Sequence, residues 1–197
     1  SRMSEPATLP AVTPETPSAG APRAIAIARL PEQGMIMLRA DLGAAATKKA
    51  VKAAVGTAMP ALRRIEAAGA RAAAWMSPDE VLLLLPRAEV DAALAAIAKA
   101  MGTAHHLAAD VSDARAVFAL SDGPVRAVLA KLCPVDLSPD RLPPGEVRRT
   151  RLAQIACAFW FDAAGAATLV TFRSVAQYAQ DLLELSADPA AVPPLPR

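Results

Sequence analysis

The chain has 197 residues and a formal charge of +2, and it is 54% hydrophobic but only 4% aromatic. That length suits one domain or two closely packed halves, with a core large enough to need no staple. Twenty-one Lys and Arg against nineteen Asp and Glu argue against a dedicated nucleic-acid binder, no apolar run is long enough to cross a bilayer, and two cysteines make no disulfide framework.

The N-terminus has no basic segment followed by an apolar core, so no secretory leader is expected and a reducing, cytoplasmic setting is the default. Residues 1–22 hold Pro6, Pro10, Pro14, Pro17 and Pro22 among Ala, Thr and Ser, and Pro189, Pro193, Pro194 and Pro196 crowd the other end. Both stretches, 1–22 and 188–197, are expected as tails, because they cannot bury enough to offset their ordering entropy. The folded region is then 23–187, in two halves, 23–111 and 112–187.

Within it, Ala24–Leu30 and Met35–Leu42 read as strands around a Pro31–Gly34 turn. Ala44–Val55 reads as an Ala-rich helix with Lys48, Lys49 and Lys52 on its wet side. Leu62–Glu66 is a short strand, and Arg71–Met76 and Glu80–Leu85 make a hairpin around Ser77-Pro78-Asp79. Val90, Leu94, Ile97 and Met101 recur at helical spacing until Gly102. His105–Val111 and Arg115–Leu120 follow as strands. Ser121-Asp122 offers an N-cap for a helix whose stripe is Val125, Val128, Leu129 and Leu132. Residues 133–147 are irregular. Arg149–Phe161 and Ala167–Arg173 form a long hairpin across Asp162–Gly165. Ser174 and Gln177 have the capping-box spacing, ahead of an inner face of Val175, Tyr178, Ala179 and Leu182. This rhythm predicts an α+β fold with antiparallel sheets and ferredoxin-like β-α-β repeats, occurring about one and a half times.

Catalytic signatures are scarce. The folded region has no closely spaced glycines, so neither a dinucleotide fingerprint nor a P-loop can be written. His105 and His106, as neighbours on a strand, point to opposite faces and make a poor metal pair. Cys133 ahead of Pro134 has no base that spacing brings to it, and both it and Cys157 read as small core residues. Asp110, Asp113 and Asp122 could act as paired carboxylates, but Asp beside strands more often serves turns and caps. The densest basic group is Arg141, Arg148, Arg149 and Arg151, suited to phosphate, an acidic tail or a protein surface. Strand alternation puts Arg149 and Arg151 on one face, and without interleaved aromatics a nucleic-acid groove is disfavoured. The residues themselves therefore favour a binding or scaffolding module over an enzyme.

Several segments resemble the gamma-subunit family of heterotetrameric sarcosine oxidase. These are Trp75…Ser77-Pro78-Asp79-Glu80…Leu83-Leu84; Asp110-Val-Ser-Asp113; Gly123-Pro124…Val128-Leu129-Ala130-Lys131; and Lys131-Leu-Cys133-Pro134-Val-Asp136-Leu137. Pro143-Pro144-Gly145, Thr150-Arg151-Leu152-Ala153 and Arg173-Ser174…Tyr178 continue the series in the same order. Leu132 stands where the family usually has Gly, and Gln180 where a Trp is common. The resemblance implies a fold similar to part of the folate-binding domain of the glycine-cleavage T-protein. It also implies a subunit with no cofactor of its own, beside alpha, beta and delta subunits that carry FAD, FMN, NAD and tetrahydrofolate. The enzyme oxidises sarcosine to glycine and hydrogen peroxide, releasing formaldehyde or methylene-tetrahydrofolate. On that reading this chain packs chiefly on the alpha subunit, with no nucleic-acid or membrane partner. Pro134, Pro143, Pro144, Arg141, Arg148, Arg149 and Arg151 would form much of the contact. The rival is a stand-alone folate-binding protein or enzyme of the T-protein superfamily, although Lys131-Leu-Cys133-Pro134 lacks the Gly and the Gly-Gln-Glu of its repair branch.

Overall fold

Ten strands and four α-helices form two separate sheets in a computed structural model that describes residues 23–31 and 33–191. The expected tail 1–22, residues 192–197 and Glu32 of the expected turn lie outside the described residues. Contacts divide the chain into two units. One, the inserted unit, is residues 33–113; the other, the split unit, joins 23–31 to 114–191. The break between Asp113 and Ala114 falls close to the expected boundary, but the first strand, β1 (Ala26–Leu30), sits with the second half.

The inserted unit runs β2 (Gln33–Arg39), α1 (Ala45–Val55), β3 (Ile65–Ala68), β4 (Arg71–Ser77), β5 (Glu80–Pro86), α2 (Val90–Met101) and β6 (Leu107–Asp110). Its antiparallel sheet has the order β3-β4-β5-β2-β6. Without the edge strand β3, that is the ferredoxin-like arrangement. The run Val81–Leu85 is buried throughout, as a continuous apolar stretch in a central strand should be. Ile36, Leu38, Ala73, Val81, Leu83 and Leu85 pack with Val51, Val55, Val90 and Ile97 of the helices. Gly34 permits a close approach here, since a Cβ would lie 2.7 Å from the Leu85 carbonyl oxygen.

The split unit runs β7 (Arg115–Ser121), α3 (Val125–Ala130), β8 (Arg148–Leu152), β9 (Ile155–Phe161), β10 (Ala167–Phe172) and α4 (Ala176–Ser186). Its sheet has the order β1-β7-β10-β9-β8, again antiparallel. The two orders are the same arrangement. β7, β9 and β10 stand where β2, β4 and β5 stand, and β8 takes the edge place of β3. The place of β6, beside the first strand of the repeat, is filled by β1 from the start of the chain. The rhythm therefore occurs twice, not one and a half times. The lead-in to β1 meets the exit from α4, with the Ala24 amide donating to the Ala187 carbonyl at 2.7 Å and Arg23 paired with Glu184 at 2.7 Å. Phe118, Leu120, Phe159, Phe161 and Leu169 pack with Val128, Leu129, Ala179 and Leu183.

Several expected boundaries move for local reasons. β2 ends at Arg39 because Asp41 turns the chain, accepting from the Gly43 amide at 2.8 Å. β3 begins at Ile65, since residues 61–64 form a turn with Arg63 at φ 58°. The expected strand Arg149–Phe161 is two strands, β8 and β9. Ala153 adopts φ 52° between them and donates its amide to the Leu132 carbonyl at 2.7 Å. Neither expected cap forms. Ser121 donates to its neighbour Asp122, Pro124 leads α3, and Gln177 bonds Asp181 at 2.8 Å while a short 3-10 turn precedes α4. The buried face of α4 is Ala176, Ala179, Leu183 and Ser186, so Tyr178 lies outside it.

Candidate subunit interface

Four prolines between Cys133 and Val147 remove amide donors from a stretch whose carbonyls still need partners. Arg126 supplies them. From α3 its Nη1 donates to the Leu137 carbonyl at 2.7 Å and its Nη2 to the Leu142 carbonyl at 3.0 Å. Its guanidinium also lies 3.9 Å over the Phe161 ring. Burial lowers its affinity for the proton from the ordinary arginine value, yet an arginine so placed keeps its charge. Leu137, Leu142 and Val147 are buried beneath the loop, and the Gly145 amide bonds the Phe161 carbonyl at 2.8 Å. The irregular loop is therefore a held shape. Sequence reasoning passed over Arg126. The available signal was a charged residue inside the apolar run Val125–Leu129 beside a loop short of donors.

The four arginines divide between two faces of β8. Arg149 and Arg151 alternate outward and are exposed, as strand period predicts. Arg148 shares the other face with Leu152 and turns back over the loop. It donates to Glu146 at 3.0 Å and, more distantly, to the Arg141 carbonyl at 3.4 Å. Its Nε is buried with no hydrogen-bond partner. Arg141 is exposed on the loop and Pro134 is exposed at its start, while Pro143 and Pro144 are half-buried. Asp136 lies in the same loop. The Ser138 amide and hydroxyl hold its carboxyl below the ordinary range, with Arg141 and Arg148 adding in the same direction. The structure thus joins Arg141, Arg148 and the proline loop into one surface element, with Arg149 and Arg151 on the opposite face of the adjoining edge strand.

The remaining candidates have quieter roles. Cys133 and Cys157 are both buried in the split unit's core. The neighbouring Cys133 thiol, together with burial, pushes the Cys157 thiol up, away from the thiolate a nucleophile needs. His105 and His106 precede β6 and do not lie on it, so strand alternation does not govern them; His106 Nδ1 contacts the Ala104 carbonyl at 2.8 Å. Asp110 and Asp113 both receive Arg87, at 3.2 and 2.6 Å. Burial pushes the Asp110 carboxyl up, but the Ser112 hydroxyl and amide and Arg87 outweigh it and hold it down. Ser112 in turn accepts from the Met35 amide at 2.9 Å, tying the end of β6 to β2. Asp122 belongs to the other unit and serves a turn. Among the described residues, no cluster of His, Cys, Asp and Glu is placed to hold a metal ion, and no helix is long and apolar enough to cross a membrane.

The family model described as sarcosine oxidase, gamma subunit family, matches residues 39–188. Sarcosine oxidase subunit gamma of Corynebacterium sp. (strain P-1) is 35% identical over 114 residues, 56% of this chain and 55% of that protein. The match thus spans about half of each. Among solved structures, a chain of heterotetrameric sarcosine oxidase from Corynebacterium sp. U-96, in complex with pyrrole 2-carboxylate, superposes with a TM-score of 0.77. It shares 24% identity, with 90% of each chain covered. The glycine cleavage system aminomethyltransferase T from Bartonella henselae gives a TM-score of 0.60 at 11% identity, over 82% of this chain and 45% of that one. Both structural likenesses are likenesses of fold.

Proposed function

The chain belongs to the sarcosine oxidase gamma subunit family, and from that premise we propose that it is the non-catalytic gamma subunit of a heterotetrameric sarcosine oxidase. The observation that carries the proposal is the reach of the family match, from the end of β2 to beyond α4, across parts of both units. In this reading the chemistry belongs to partner subunits. FAD, FMN, NAD and tetrahydrofolate are held there, and sarcosine is oxidised there to glycine and hydrogen peroxide, with the methyl carbon leaving as formaldehyde or methylene-tetrahydrofolate. This chain stabilises the assembly, chiefly by packing on the alpha subunit.

The geometry supports a contact role. The loop 133–147 is fixed by a guanidinium before any partner arrives, so little ordering entropy remains to oppose binding. Beside it, Arg149 and Arg151 stand outward on an edge strand, where Arg suits carboxylates on a facing surface. The buried Cys133–Cys157 pair and the Arg87–aspartate cluster have structural partners of their own.

The test is purification of the chain from its native host, with mass spectrometry, a flavin absorbance scan and an assay of sarcosine-dependent peroxide release. Large flavin-bearing partners with that activity are the expected result. A colourless chain recovered alone, titrating with tetrahydrofolate in a calorimeter, would replace this reading with the stand-alone folate protein.

A further inference from the structure

The chain's two cysteines lie on different elements of the split unit, yet the fold brings them together. Cys133 ends the turn that follows α3, its amide donating to the Leu129 carbonyl at 2.9 Å. The residue before it, Leu132, is pinned to the β8–β9 turn, where its carbonyl accepts the Ala153 amide at 2.7 Å. Cys157 lies in β9 between Thr150 of β8 and Thr171 of β10. Both side chains enter the core that holds Leu129, Leu152 and Phe159, and the two thiols are near enough to shift each other's ionisation. Neither backbone is free to carry its sulfur away. Cys133 is nevertheless 5% exposed, and exposed Pro134 follows it at the start of the loop.

We propose that Cys133 and Cys157 are a peroxide-sensitive dithiol, which a hydroperoxide converts to an intramolecular disulfide that pins the start of the proline loop to β9. The site goes beyond the proposed assembly role and does not depend on it, although hydrogen peroxide from the proposed partner chemistry is one source of the oxidant. The Cys133 thiolate attacks one peroxide oxygen and the O–O bond breaks, leaving Cys133 as a sulfenic acid. The departing hydroxide takes up the proton that Cys133 gave up and becomes water. Cys157 then attacks the Cys133 sulfur, the S–O bond breaks, and a second water leaves with the Cys157 proton. Two thiols and one peroxide thus give one disulfide and two waters, each sulfur losing one electron and the peroxide gaining both.

The order of attack follows from the site. Cys133 stands beside the exposed loop, and the neighbouring Cys157 thiol lowers its pKa against the opposing effect of burial. Cys157 lies within the sheet, and its thiol is pushed up. The bond joins a helix exit to a sheet strand and so constrains the unfolded chain across everything between them. The oxidised chain is therefore the more stable form.

The experiment exposes the full chain, reduced and then freed of reductant, to hydrogen peroxide and follows intact mass, peptide mapping and melting. A loss of two hydrogens, with one linked peptide pair containing Cys133 and Cys157, is the expected product. The oxidised chain should melt about 5 °C or more above the reduced one, and dithiothreitol should reverse both changes. In Cys157→Ser, Cys133 should stop at the sulfenic acid and be labelled by dimedone, with no rise in melting temperature. Cys133→Ser should react about tenfold more slowly than the wild-type chain, or slower still. Thiols that survive peroxide, end as sulfinic acid, or link one copy to another overturn the proposal. A linked chain that melts no higher overturns the pinning of the loop. Mapping and melting of the wild-type chain decide the matter even where a serine variant fails to fold. Assembly with partner subunits enters none of these readouts, so failure of this inference and failure of the subunit reading are told apart.

Discussion

The two units use one strand order and put it to different ends. In the inserted unit the repeat is contiguous, and its helices are regular, α1 with 11 residues and α2 with 12. In the split unit the first helix shrinks to 6 residues, and a proline-rich loop held by Arg126 takes the remaining length. Among the described residues its second helix, α4, is not followed by a strand, and β1 occupies that edge. The features proposed to meet a partner, the loop and the outward arginines, both belong to this second version. A repeated topology fixes the sheet and leaves its connections free to diverge.

Removing residues 23–31 should have the largest effect on that comparison. It strips Ile25 and Ile27 from the core and leaves β7 as an open edge, so the split unit should unfold, a loss above ~4 kcal/mol. A circular permutant that starts at Gln33 and carries 23–31 after Asp188 should recover most of that stability in urea unfolding, because Ala24 and Ala187 already touch. A permutant as unstable as the deletion would show that the two repeats are not equivalent.

Next come the internal supports of each unit. Gly34→Ala pushes a methyl against the Leu85 carbonyl and should cost about 1–3 kcal/mol. Arg126→Ala leaves two loop carbonyls without their donor and should cost about 2–3 kcal/mol. Of the two, only Arg126→Ala should also weaken assembly, since only it loosens the loop; equal assembly in both would separate the loop from partner binding. Arg149→Ala with Arg151→Ala should lower the chain's own melting only slightly and reduce affinity for the large subunits about tenfold.

Acid gives the smallest effect. Asp110 in the inserted unit and Asp136 in the split unit are both held below the ordinary value of 3.8. Their stabilisation is therefore complete above that pH and is lost as pH falls through the lower folded values. Asp110→Asn should flatten the acid limb of a melting-temperature curve, and an unaltered limb would place the acid sensitivity elsewhere.

Much of the fold was legible because periodicity is local. The hairpin around Ser77–Asp79, helices α1 and α2, and strands β5, β7 and β10 all follow from apolar spacing and turn residues near their ends. The turn at Ala153 was not legible, since Leu152-Ala153-Gln154-Ile155 contains no Gly, Pro, Asn or Asp to announce it. A carbonyl from Leu132, distant in sequence, holds it. The candidate interface was half visible. Alternation put Arg149 and Arg151 outward, but the inward turn of Arg148 and the work of Arg126 depend on contacts with Glu146, Leu137, Leu142 and Phe161.

By itself, then, the sequence determined most of the strands and helices, the antiparallel α+β class and, through its ordered motifs, the family. These depend on neighbours a few residues apart, where spacing and turn chemistry act directly. Only the tertiary structure decided that β1 completes the second repeat, that Arg126 shapes the proline loop, and that α4 turns Leu183 inward in place of Tyr178. Each of those outcomes is set by a partner supplied from a remote part of the chain, and no local pattern records which of several acceptable partners the fold brings near.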